Sequence, residues 1–188
     1  MNAGLTRIID TKSPVAGEVD QRDFRDAMSR FATGVAIVTT VDEQNGPVGV
    51  TISSVTSLSL DPPLVLWSIG LGAYSLPAFR RAGEFALNFL PADKWELCEQ
   101  FARPATDKFR HVTWHRNSRG VPLLDGMLAH VSCTTWRRYP GGDHEIFVGR
   151  VRSVRMFPGE PLVIFGGERG RQLPPEVQRA DCCSRSDA

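Results

Sequence analysis

The sequence predicts a mainly β domain, a closed or nearly closed barrel with a few peripheral helices. Three observations predict it. Runs rich in β-branched residues recur at short intervals, tight turn signals separate them, and only three stretches read as helices. No internal repeat or low-complexity tract interrupts this pattern.

The domain is expected over about residues 20–173. Residues 1–19 are polar and without apolar periodicity, which predicts a flexible N-terminal arm; residues 174–188 predict a flexible C-terminal tail. The first element is a helix. Phe24, Ala27, Met28 and Phe31 fall on one face, Asp20 is placed to cap the start, and Gly34 ends it. Residues 35–41, a turn at Asn45-Gly46-Pro47 and residues 48–60 follow as β structure. Asp61-Pro62-Pro63 breaks the run before a buried strand at 64–69. A short helix is expected from Ser75 to Ala82, with Pro77 in its first turn and Gly83 as the stop. Then come a strand at 85–90 and a helix at 92–102 that buries Leu97, Cys98 and Phe101. Residues 104–128 are loop-rich. Residues 131–139 and 144–157, joined through Pro140-Gly141-Gly142-Asp143, predict a long hairpin. Its second strand breaks alternation, because Arg150 and Arg152 share parity with Ile146 and Val148; a bulge or a dimer-facing edge would account for that. Residues 161–167 supply a last strand.

Composition narrows the function. Twenty-two basic and 21 acidic side chains leave a net charge of +1, so no global field attracts nucleic acid or anionic lipid, and neither is expected as a partner. No apolar run reaches the ~20 residues of a membrane helix, and the N-terminus lacks the apolar core of a signal peptide; a cytoplasmic protein is expected. Cys98 and Cys133 read as small core residues, and the adjacent Cys182 and Cys183 as free thiols. A zinc site on His111 and His115 with two of these cysteines lacks any C-x-x-C pair, so no metal is expected.

Three local features could carry chemistry. Gly70-Leu71-Gly72-Ala73-Tyr74-Ser75 follows a strand and opens a helix, like the start of a dinucleotide fingerprint. The third small position is Ser, and hairpin-linked strands replace βαβ units, so a Rossmann reading is rejected. What remains is a helix start where Ser75 either caps the backbone or helps to hold a phosphate. Thr51-Ile52-Ser53-Ser54 places hydroxyls on a strand end, which can be a solvated face or can meet the polar edge of a flat heterocycle. Asp143 and His144 sit at the hairpin tip, either as ordinary polar loop residues or as contacts to a flavin, nicotinamide or phosphate. Phe109, in a charged loop, is a lid over a ligand or a subunit contact. No G-x-S-x-G elbow is present.

In this order, FRDAMSRFATGVAIVTT, VGVTISSVTSLSLDPPLVLWSI, FALNFL, the DKF element, GGDHEIFVGRV and PLVIF resemble the flavin reductase-like family, with its FMN-binding split β-barrel of Greek-key type. The resemblance runs from about Asp23 to Leu173 and includes reductase components of two-component flavin-dependent monooxygenases. It implies that Thr51, Ile52, Ser53, Ser54, Trp67, Ser68 and Ile69 line the isoalloxazine and ribityl pocket. Tyr74 and Ser75 would hold the phosphate, Asn88 and Phe89 would touch the flavin, Phe109 would cover the ring, and Asp143 with His144 would face the nicotinamide. Ile164 stands where relatives often carry an aromatic.

The resemblance implies an NAD(P)H:flavin oxidoreductase, with FMN or FAD as flavin and NADH or NADPH as donor. Hydride would pass from nicotinamide C4 to flavin N5, His144 orienting the nicotinamide or protonating at the flavin edge. A homodimer and a partner monooxygenase are implied as well. The alternatives are a non-enzymatic flavin sensor or electron carrier on the same barrel, and an oxidase of a phosphorylated vitamin that would need a basic pocket such as Arg150 and Arg152 could furnish.

Overall fold

The computed structural model describes residues 19–42 and 46–166. In chain order its elements are α1 (Gln21–Ser29), β1 (Thr33–Gly34), β2 (Ala36–Asp42), β3 (Gly46–Ile52), β4 (Thr56–Leu60), β5 (Pro63–Gly70) and α2 (Leu76–Arg81). Then follow β6 (Glu84–Phe89), α3 (Trp95–Ala102), β7 (Trp114–Arg116), β8 (Pro122–Leu124), β9 (Ala129–Gly141), β10 (His144–Met156) and β11 (Val163–Ile164).

Seven strands form one antiparallel sheet in the order β3-β2-β6-β9-β10-β5-β4. β3 and β4 are its two edges, yet only Ser53–Val55 separates them in the chain. A flat sheet of this order would hold its edge strands roughly 29 Å apart. Three extended residues reach only about 14 Å. The sheet therefore curls until its edges meet, and the result is a barrel split between β3 and the β4–β5 hairpin. Ser54 marks the split. Its hydroxyl accepts from the Ser68 N–H (3.0 Å) and donates to the Ser68 carbonyl (3.1 Å), standing where a neighbouring strand would pair with β5.

Aromatic side chains fill the interior. Trp67 stacks on Phe147 at 4.7 Å and meets Phe79 and Phe85 edge-on, in geometries that ring quadrupoles favour. Leu87 and Val38 complete this core. A second cluster, including Ile37, Phe101, Leu124 and Leu162, lies under α3. Gly49 permits that approach, since a Cβ there would come within 2.5 Å of the Phe101 ring. Cys98 and Cys133 are buried, as the sequence implies.

Several expectations are corrected. The first helix ends at Ser29 rather than near Gly34. Its apolar face does not pack on the barrel: Phe24 is 59% and Phe31 69% exposed, and no residue of α1 is buried. Residues 48–60 are two strands, because the chain must turn at the split. The loop-rich stretch 104–128 contains the small hairpin β7–β8, which shields the β2 and β6 side. The last strand shrinks to the two residues of β11, paired with β1. The irregularity in the long hairpin is two register shifts, at Val148/Gly149 and Val151/Ser153, so the bulge explanation holds. The arm up to residue 18, Asn45, Gly167, the tail and Cys182-Cys183 lie outside the described residues.

Candidate functional site

One cavity lies beside the start of β3, another at the linker that follows it, and a groove lies at the hairpin tip. One cavity, of about 860 Å³, is lined mostly by apolar side chains, among them Met28, Phe31, Phe89 and Leu162, with Ser53 and Ser54 on its wall. A second, of about 370 Å³, lies between β3, α2 and the loop after α3, and takes in Gly49, Tyr74, Ser75, Arg81, Lys108 and Phe109. Gly49 in the second and Ser53 in the first are four residues apart along the chain, about 13 Å. The groove, about 550 Å³, lies beside His144.

The second cavity has the chemistry of an anion site. Lys108 is buried, and its ammonium donates to the carbonyls of Phe101 (2.8 Å) and Gly49 (3.3 Å) with no carboxylate partner among the described residues. Burial holds its pKa below the ordinary lysine value. Arg81 is different, being bonded to Asp42 at 2.6 Å. One uncompensated buried cation thus faces the cavity, a state that an arriving phosphate would relieve. Ser75 is buried at the start of α2, and its hydroxyl makes no capping hydrogen bond. α2 has only six residues, so the charge comes from Lys108 more than from the helix end. Phe109 lines the same cavity while packing edge-on against Phe101 and Trp114.

The hairpin tip is held firmly. Gly142 adopts φ +70°, the left-handed conformation that lets a two-residue turn close β9 onto β10. The Asp143 carbonyl accepts from the Leu71 N–H at 2.9 Å, tying the tip to the end of β5. Asp143 Oδ1 lies 2.7 Å from His144 Nδ1, and this hydrogen bond, with the imidazole charge, draws the Asp143 pKa down. Paired so, Nδ1 carries the proton and Nε2 is left for a ligand. His144 stands opposite Gly70 in register, and a Cβ on Gly70 would sit 3.8 Å from that Nε2. Ser68, which anchors Ser54, is two residues earlier on β5, with Ser54 on the β4 side of that strand and His144 on the β10 side.

The residues expected from the sequence divide into three groups. Ser53, Ser54 and Phe89 reach the large cavity, Tyr74, Ser75 and Phe109 the second, and His144 the groove, with Asp143 exposed beside it. Ser68 lies on the outer face, where its backbone holds Ser54. A third group turns its side chains into the fold or spends them on other parts of the chain. Trp67, Ile69 and Ile52 point into the barrel core. Alternation along β3 and β5 requires this, since their neighbours face outward. Thr51 donates its hydroxyl to the Cys98 carbonyl and so pins β3 to α3. Asn88 is fully buried, its amide donating to Ile37 O and Thr39 Oγ1 and accepting from Leu124 N–H. Arg150 and Arg152 do not form a pocket together; one lies over Trp136 and the other bonds Thr134.

Lys108 was not among the expected residues. A lysine between an aspartate and a phenylalanine in a polar loop looks like surface charge, and only the folding of the loop over Gly49 buries it.

Comparison with known proteins identifies the family. The family model described as "Flavin reductase like domain" matches residues 28–172. The chain is 41% identical over 157 residues to the FMN reductase (NADH) of Agrobacterium fabrum, covering 84% of this chain and 89% of that protein. It is 38% identical over 165 residues to the reductase subunit of a flavin-dependent monooxygenase from Rhodococcus jostii, covering 87% and 84%. Among solved structures, an NADH:FAD oxidoreductase of Streptomyces globisporus, in complex with NAD and FAD fragments, superposes with a TM-score of 0.77 at 35% identity, covering 86% of this chain and 99% of that one. A split barrel with an anion cavity and a histidine at its open edge, matched over this length, places the chain in the flavin reductase like domain family.

Proposed function

We propose that the chain is an NAD(P)H-dependent flavin reductase, which reduces FMN or FAD and releases it to a partner monooxygenase. The observation that carries this is the family match, joined to a buried, uncompensated Lys108 at the split edge. Likeness to the reductase subunit from Rhodococcus jostii supports the second component.

The residues present fit a flavin. Lys108 and Ser75 would hold its phosphate, while Ser53 and Ser54 would face the ring at the wall of the apolar cavity. When bound, the flavin supplies the acceptor for one hydride from NAD(P)H and one proton from solvent, giving NAD(P)⁺ and reduced flavin. The chain's own work is positional. Asp143 keeps the imidazole of His144 in one orientation, and Nε2 then faces the open side of β5. There His144 orients the nicotinamide, and in its protonated form it can return a proton at the flavin edge. The packed strands exclude water from one side of the site.

A second copy of the chain would cover the unburied face of α1. Phe24, Met28 and Phe31 form one exposed apolar stripe, and Met28 and Phe31 also wall the large apolar cavity. A homodimer would therefore complete the site; a monomeric mass by sedimentation would exclude it. No helix among the described residues is long and apolar enough to cross a membrane, which is compatible with a cytoplasmic setting.

The test is direct. Purified protein should oxidise NADH or NADPH when FMN or FAD is added, followed at the nicotinamide absorbance. No oxidation in any of the four pairings would end the reading.

A further inference from the structure

Of the two carboxylates in the long hairpin, Asp143 is exposed at the tip and Glu145 turns inward. Glu145 follows His144 on β10, so strand alternation sends the two side chains to opposite faces. It stands opposite the buried Ile69 of β5 and so closes the end of the barrel. There it meets cations from two other elements. Arg80, in the last turn of α2, donates from Nε to Glu145 Oε2 at 2.6 Å, and Arg138 Nη1, on β9, lies 3.5 Å from Oε1. The same Nη1 donates to the Arg80 carbonyl at 3.4 Å, at the unpaired end of the helix, while the guanidinium covers the Phe147 ring. α2, β9 and β10 thus meet at one carboxylate.

This clasp fixes position more than it holds the fold. The two arginine side chains are 48% and 40% exposed, so each can turn to water when its partner is lost, and ion pairs of that kind add little net stability. Charge-assisted hydrogen bonds are nevertheless short and directional. Five residues of helix, about 7.5 Å, separate Arg80 from Ser75, which lines the anion cavity. The other tie of the hairpin tip is the Leu71 N–H donating to the Asp143 carbonyl, at the start of the connection that leads into α2. The clasp and this bond bracket that connection, one at each end.

We propose that Glu145, held by Arg80 and Arg138, is a positioning residue that sets the His144 imidazole relative to α2. It thereby aligns the donor end of the site with its phosphate end. This rests on the reductase reading and adds to it the residues that keep the two ends in register.

The experiment compares the wild-type protein with Glu145→Gln, which keeps the side-chain shape and removes its charge, and with Arg80→Gln, which leaves Glu145 paired to Arg138. Turnover at saturating NADH and FMN should fall by about tenfold in Glu145→Gln and by less in Arg80→Gln, as for a small misplacement of a positioned group. KM for NADH and Kd for FMN should stay within about twofold. Glu145→Gln is then repeated in a His144→Ala background, where it should cost nothing further, because a residue that acts through His144 has nothing left to position. An undiminished loss in that background overturns the inference, and so does an unchanged turnover. A change confined to KM overturns it as well, since that would put the arginines on the donor itself. Amide hydrogen exchange in the flavin-free protein keeps the proposal apart from the reductase reading. The Leu71 N–H should exchange about tenfold faster or more in Glu145→Gln, with the amides of β2 and β6 unchanged. An unchanged Leu71 rate overturns the clasp whether or not any donor is oxidised.

Discussion

The closed side of the barrel and its split side use the same kinds of polar residue in opposite ways. On the closed side, where β6 runs between β2 and β9, every polar group of Asn88 is spent inside the protein, and Thr39 donates to the carbonyls of Pro122 and Ala86. On the split side Ser54 takes the place of a missing strand, Lys108 meets only carbonyls, and His144 keeps Nε2 open. Residue type does not separate the two sides. What separates these examples is where their partners lie: Asn88 and Thr39 spend their groups within the fold, whereas His144 keeps Nε2 open.

Three substitutions would break or sharpen this contrast. Asn88→Ala should have the largest effect, and on folding. It removes the partner of the Leu124 N–H and the bonds given to the Ile37 carbonyl and Thr39 Oγ1, for a loss of about 3 kcal/mol or more by denaturant titration. Flavin affinity of the remaining folded protein should hold; a selective loss of flavin binding at unchanged stability would move Asn88 back to the site. His144→Ala should come next, lowering turnover by about a hundredfold, in the range for a positioned acid–base group. Flavin affinity measured by fluorescence quenching should change little. An unchanged rate would strip His144 of its role.

Lys108→Gln should be the smallest of the three, weakening FMN binding by about tenfold, as expected for one charge-assisted contact. Its pH dependence is the sharper test. Because burial lowers the Lys108 pKa, the ammonium loses its proton below the ordinary value of 10.5, and the charged form is the one that attracts phosphate. FMN affinity in the wild type should therefore fall as pH rises through the lowered pKa. Lys108→Arg, charged throughout, should remove that fall. The same pH dependence in wild type and Lys108→Arg would contradict the assignment.

Much of the fold was legible in the sequence. Periodicity and turn residues gave the β2, β5, β6 and long-hairpin strands to within a residue or two, and broken alternation at Arg150 and Arg152 announced the bulges. The failures share a cause. The split at Ser53–Val55 lies inside a β-rich run and is dictated by strands far away in sequence, so no local signal announces it. The same holds within the site. The hairpin tip and the start of α2 were legible as structure through turn and helix-start chemistry. Trp67 and Asn88 turn their side chains into the fold, because family likeness marks a segment, whereas strand alternation decides which of its side chains face outward. Lys108 went unseen because only tertiary folding buries it.

The linker at Ser53–Val55 has almost no slack, and this matters for anyone who would re-engineer the protein. Most barrels accept insertions at exposed turns between strands. Here the turn joins opposite sheet edges, so its length sets the barrel's circumference, and its second residue carries the hydroxyl that seals the seam. Lengthening it would widen the seam and detach Ser54 from β5 together. Grafted loops and fused domains belong instead at the β7–β8 turn, where Gly120 joins two strands that pair only with each other.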